Sequence, residues 1–115
     1  MNEKKIERDS NNISGRYILD ENGAAVACPD LMTWARWIEN RDNCRLKHDE
    51  VGNARVSTIF IGLDFNFSGE GSPLLWETRI LDSEPHAFYQ ERYSTRQEAL
   101  GGHEKAVALV KESFH

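Results

Sequence analysis

The sequence predicts an α+β domain: an antiparallel sheet of about four to six strands with two helices packed on one face, in the order β-β-α-β-β-β-β-α. Three observations predict it. Two strand-like runs, Arg55–Phe67 and Leu74–Leu81, flank the loop Ser68-Gly-Glu-Gly-Ser-Pro73. Two segments, beginning at Asp30 and Thr95, carry apolar residues at helical spacing. Short turn-like connections join most of the strands, which favours antiparallel pairing over crossovers.

The elements follow in order. Residues 1–14 are polar and aperiodic and are expected to be a disordered tail, leaving 15–115 as one domain. Arg16–Asp20 and Ala24–Cys28 read as a short hairpin around Asn22-Gly23, a pair suited to a type I′ turn because both central residues need positive φ. Asp30 can cap a helix whose buried face is Leu31, Trp34, Ala35 and Ile38. Trp37 lies to the side of that stripe, free to cover a sheet edge or a partner. Glu39–Asn43 ends the helix. Cys44–His48 alternates as a strand, with Cys44, Leu46 and His48 on one face, and Glu50–Asn53 turns into the central hairpin. Asp82–Pro85 turns again, and His86–Tyr93 is a last strand with Ala87, Tyr89 and Tyr93 on one face. Thr95-Arg-Gln-Glu98 is a capping box opening a final helix, striped by Leu100, His103, Val107, Val110 and Phe114. Gly101-Gly102 interrupts that helix at about 1 kcal/mol each against Ala, tolerable where a helix packs closely on a sheet.

In the central hairpin the apolar alternation places Ile59, Ile61, Leu63, Phe65 and Phe67 with Leu74, Trp76, Thr78 and Ile80. Phe65 then faces Trp76, and on the other side Asp64 faces Glu77, Gly62 faces Arg79 and Phe60 faces Leu81. Like charges opposed across a ladder need an offset. Arg79, Arg45 or Lys47 alongside would supply one; so would a metal or shared proton, or a basic partner protein. Gly62 leaves a notch for close approach. Trp37, Phe60, Asp64, Glu77 and Arg79 are thus the expected binding surface, an apolar patch rimmed by acids. His103, on an apolar stripe, is expected to be a satisfied core histidine. Its functional alternative is catalytic: Asp64, Glu77 and His103 as the site of a small metal-dependent hydrolase.

Composition narrows the classes. The 115 residues are 39% apolar and 29% charged, with net charge −5 and pI near 5.3. The tail holds three acids and three bases through Asn12, so the negative excess belongs to the folded part. Direct nucleic-acid binding is therefore not expected, because counterion release favours basic surfaces. No run is long and apolar enough to span a membrane, and the N-terminus has no apolar signal core, so a cytoplasmic protein without a membrane partner is expected. Cys28 and Cys44 form no Cys-x-x-Cys. A zinc site from Cys28, Cys44, His48 and His103 is disfavoured because Cys44 and His48 lie about 13 Å apart on an extended strand. No phosphate loop, dinucleotide fingerprint, nucleophile elbow or zinc-protease motif occurs, so no cofactor is expected.

The strings Gly62-Leu-Asp64, Ser72-Pro-Leu-Leu-Trp-Glu-Thr78, Arg92-Tyr-Ser-Thr-Arg-Gln-Glu-Ala99 and Gly102-His103 resemble a set of small tailed-bacteriophage proteins without assigned activity. The likeness runs from residue 16 to 114. It implies a phage accessory protein that acts stoichiometrically on a host protein in the host cytoplasm, as host-takeover and anti-defence inhibitors, anti-CRISPR proteins among them, do. A nucleic-acid mimic and a small-ligand sponge with its pocket at a homodimer interface are the other non-enzymatic expectations.

Overall fold

The computed structural model describes residues 14–68, 70–82 and 89–113. The order is β1 (Tyr17–Leu19), β2 (Ala25–Ala27), α1 (Leu31–Glu39), α2 (Arg41–Cys44), β3 (Arg45–Val51), β4 (Ala54–Phe60), β5 (Trp76–Asp82), β6 (Tyr89–Tyr93) and α3 (Arg96–Ser113). It is the expected order with one added helical turn, α2. The strands form two antiparallel sheets: a β1-β2 ribbon and a four-stranded sheet β3-β4-β5-β6. Helix α3 crosses all four strands of the larger sheet. The expected tail lies outside the described residues except for Ser14, as do the Ser83–Pro85 part of the turn, His86, Ala87 and Phe114.

The first hairpin forms, but not with a type I′ turn. Among the described residues none other than glycine has positive φ, so Asn22 does not take the conformation that turn needs. Asp20 organises the loop instead: its Oδ1 accepts from the N–H groups of Asn22 and Ala24 at 2.8 and 2.9 Å. Gly23, at φ +79°, closes it by donating to the Asp20 carbonyl. Asp30 caps α1 as expected, its Oδ2 accepting from Thr33 N–H at 2.9 Å and Thr33 Oγ1 at 2.6 Å. The stripe of α1 is only half-buried, and Leu31 is 54% exposed. The helix packs chiefly against β1 and α2 rather than across the four-stranded sheet, which leaves its first turn exposed. Trp37 covers the core of its own chain, edge-on to Phe60 with ring centroids 5.7 Å apart.

The alternation expected for β3 is broken by a bulge. The ladder steps from Arg45↔Ile59 to Lys47↔Thr58, leaving Leu46 unpaired and tucked against the core. Beyond it Lys47, Asp49 and Val51 face α3, while His48 and Glu50 face away.

The central hairpin has a different register from the expected one. Phe60 pairs with Trp76, Thr58 with Thr78 and Val56 with Ile80, and these residues make the buried face. Ile59 stands opposite Glu77, Ser57 opposite Arg79 and Arg55 opposite Leu81. The expected face of β5 is right and that of β4 is inverted. The cause is local: β4 stops at Phe60, and Gly62, at φ +74°, bends the chain out of the ladder. Residues 61–75 then form a long excursion rather than a tight turn, bridged to the first hairpin through Arg16↔Leu63.

Two apolar clusters fill the space between sheet and helices. One centres on Tyr17, Phe60, Leu75, Trp76 and Ala99, the other on Ala54, Val56, Ala106, Val107 and Val110. The start of α3 is capped by Thr95, whose Oγ1 accepts from Glu98 N–H at 3.0 Å. Its two glycines differ. A Cβ on Gly101 would meet nothing within 4 Å, whereas one on Gly102 would collide with the Tyr93 ring and hydroxyl. Gly101→Ala is therefore expected to stabilise the fold by up to about 1 kcal/mol. Gly102→Ala is expected to destabilise it by about 1–3 kcal/mol, because a packed ring cannot retreat freely. Urea midpoints for the two variants must move in opposite directions.

Candidate functional site

The structure scatters the residues expected to form the site. Asp64 lies in the 61–75 excursion, where its Oδ1 accepts from Asn66 N–H at 2.8 Å and Leu74 N–H at 3.2 Å. That carboxylate shapes a loop. Glu77 projects from the sheet face opposite α3, yet it is only 4% exposed. Arg79 Nε lies 2.8 Å from its Oε1, while Arg92 Nε and Gln90 Nε2 lie 2.9 and 2.6 Å from its Oε2. The offset to its charge is thus internal. Phe60 is 1% exposed, so Trp37, Phe60, Asp64, Glu77 and Arg79 make no common surface patch. Asp64 and Glu77 are not paired, and His103 lies on the other side of the sheet from Glu77.

His103 is fully buried in α3, and its partners were not anticipated. Its Nδ1 lies 2.6 Å from Thr58 Oγ1, which lies 2.5 Å from Thr78 Oγ1. Its Nε2 lies 2.7 Å from Asp49 Oδ2. The carboxylate can only accept, so Nε2 carries a hydrogen. This bond holds the Asp49 carboxyl below the usual carboxylate range. An acid, an imidazole and a hydroxyl in a row resemble a nucleophilic relay. The geometry gives it a structural role, because both threonine hydroxyls are fully buried and already bonded to each other. Lys47 and Glu104 form an exposed ion pair beside the network. Among the described residues no group of three or more His, Cys, Asp or Glu is placed to hold a metal ion, so Cys28, Cys44, His48 and His103 do not form a zinc site. Burial pushes the Cys44 thiol above its ordinary pKa, against a smaller opposing effect of Arg41.

The sheet face opposite α3 is where chemistry is available. Its β5–β6 half carries the Glu77 cluster, and the Arg92 guanidinium lies 4.3 Å from the centroid of Phe65 in the excursion. Phe65 in turn meets Phe67 edge-on at 5.8 Å, and Phe67 is 84% exposed. The loop behind these rings is fixed by Asn66, whose Nδ2 donates to the carbonyls of Glu70 and Ser72. The β3–β4 half forms one side of a cleft of about 590 Å³, closed on the other by the end of α1 and by α2. Sequence reasoning missed this cleft. Arg41, Arg45 and Arg55, from three elements, all line it, and only the fold places residues so far apart in sequence along one cleft. The Gly52-Asn53 turn was the signal that could have aligned His48 with Ser57.

Among the described residues no helix is long and apolar enough to cross a membrane. No family model, curated protein or solved structure matches the chain.

Proposed function

We propose that this chain acts by stoichiometric binding to another protein, with Phe67 and the β5–β6 half of the uncovered sheet face as its contact surface. The observation that carries this reading is Phe67. Among the described residues it is the most exposed large apolar side chain, and its ring meets that of Phe65, which lies against Arg92, on a loop whose backbone Asn66 bonds. Rigid aromatic and arginine side chains are what protein interfaces concentrate their binding energy in. Arg79, half-exposed beside Glu77, extends the surface. The resemblance to small phage proteins makes a host protein the natural partner and an inhibitory, anti-defence role its natural use.

The test is capture from bacterial lysate with the tagged chain and a Phe67→Ala/Arg79→Ala variant. A protein retained in one-to-one amount by the parent, and reduced about tenfold or more by a variant of unchanged melting temperature, supports the reading. Equal retention by both, or none by either, overturns it. Glu77→Lys would be a poor probe, since it buries a cation between Arg79 and Arg92.

A further inference from the structure

Strand β6 ends the four-stranded sheet, and among the described residues no strand pairs with its outer side. Every second residue of such a strand turns its N–H and C=O outward, unpaired. The ladder fixes where its side chains go. Tyr89, Glu91 and Tyr93 stand beside Ile80, Thr78 and Trp76, so they share the face that α3 covers, whereas Gln90 and Arg92 share the face of Glu77. A groove of about 290 Å³ runs between β6 and α3, walled by those three residues on the strand side and by Glu98, Gly101 and Lys105 on the helix side. The helix wall is low at Gly101, where an added Cβ would meet nothing within 4 Å. Glu91 is exposed and forms no ion pair among the described residues. An unpaired carboxylate therefore stands two residues from a tyrosine on either side. Burial raises the pKa of both tyrosine hydroxyls, and the Glu91 carboxylate adds to the rise in each.

We propose that β6 and this groove receive an extended peptide segment of a partner protein, added as a fifth strand with a basic side chain beside Glu91. Main-chain hydrogen bonds along β6 supply affinity that does not depend on sequence. Selectivity comes from the groove side, where alternate side chains of the added strand lie next to Tyr89, Glu91 and Tyr93. A lysine or arginine at the middle position meets the Glu91 carboxylate, and the flanking tyrosine rings suit both its stem and its cation. Glu91 and Glu98 outnumber Lys105 in the groove, which favours a cation over an anion there. A second copy of the chain is a poor occupant. Side chains opposed across a ladder share a face, so pairing two β6 strands antiparallel over their full length sets the two Glu91 carboxylates against each other. The groove lies on the other side of the sheet from Glu77, so the assignment does not rest on a contact through Phe67.

The experiment is titration of the isotope-labelled full chain, followed by NMR, with the peptide acetyl-Val-Thr-Arg-Thr-Val-amide, whose valines and arginine share one face of a strand. Binding with a Kd below about 1 mM is expected, with the largest amide shifts in Tyr89–Tyr93 and at Gly101. Two changes to the peptide are each expected to weaken it by about fivefold or more: glutamate in place of arginine, and methyl groups on its backbone nitrogens. Glu91→Lys, at an exposed position, is expected to keep the parent's melting temperature and to reverse the preference, so that the glutamate peptide binds more tightly than the arginine one. No binding of the arginine peptide at about 1 mM overturns the proposal, as does an unchanged preference in Glu91→Lys. Shifts confined to Phe65–Phe67 overturn the assignment to β6. Sedimentation of the free chain at twice its mass, with the β6 amides protected from exchange, overturns it in favour of a second copy on this edge.

Discussion

His103→Ala is expected to cost the fold about 3 kcal/mol or more, the largest loss foreseen from a single polar residue. The imidazole is fully buried where α3 crosses the sheet, so its removal leaves a void that the surrounding strands can close only in part. It also removes hydrogen bonds to Thr58 and Asp49, one of them to a charged group. With a neutral ring, Nδ1 accepts from Thr58, and Thr58 accepts from Thr78. Deleting the ring therefore breaks a directed chain and leaves a buried hydroxyl short of a partner. Asp49 is 42% exposed and recovers water, so Asp49→Asn is expected to cost less than about 1 kcal/mol. Urea unfolding of the two variants measures the contrast. A loss under 1 kcal/mol for His103→Ala would mean that α3 does not rest on this network.

Gly62→Ala is expected to rank next, at about 2–3 kcal/mol, or a melting temperature lower by about 10 °C. Two causes add. At φ +74° an L side chain is strained by roughly 1 kcal/mol. The new Cβ would also lie 2.6 Å from Ile38 Cδ1, 3.1 Å from the Tyr17 carbonyl oxygen and 3.2 Å from Trp34 Nε1. The last two cannot yield cheaply, because the Gly62 backbone holds both neighbours: its carbonyl accepts from Tyr17 N–H at 2.8 Å and Trp34 Nε1 at 3.0 Å. Ile38 can move, but it lines the cleft. Thermal melting checks the expected loss. An unchanged melting temperature would show that α1 is not seated on Gly62 as described.

The order of elements was legible because it rests on local chemistry. Asp30 and Thr95 announce their helices by the hydrogen bonds they offer, and the apolar spacing of α3 identifies its buried side. The inversion of β4 has an equally physical origin. The run 55–67 contains two competing alternations, and the more apolar one, Ile59 to Phe67, belongs partly to the excursion beyond the strand. The true inner face includes Ala54 and Thr58, and Thr58 is acceptable there only because Thr78 and His103 satisfy it. Partners that distant along the chain leave no trace in periodicity. Gly62 was recognised as a place of close approach, which it is, but the approaching group is Ile38 of the same chain. The cleft was illegible for a related reason: a one-residue slip at Leu46 decides which side chains of β3 reach the arginines.

That slip has a second consequence, for how copies of the chain can associate. An outer strand with a regular ladder is a template on which another strand can add, and repeated addition gives fibres. In β3 the irregular step at Leu46 breaks the spacing of outward-facing amides. Growth by strand addition is therefore obstructed on this side of the sheet.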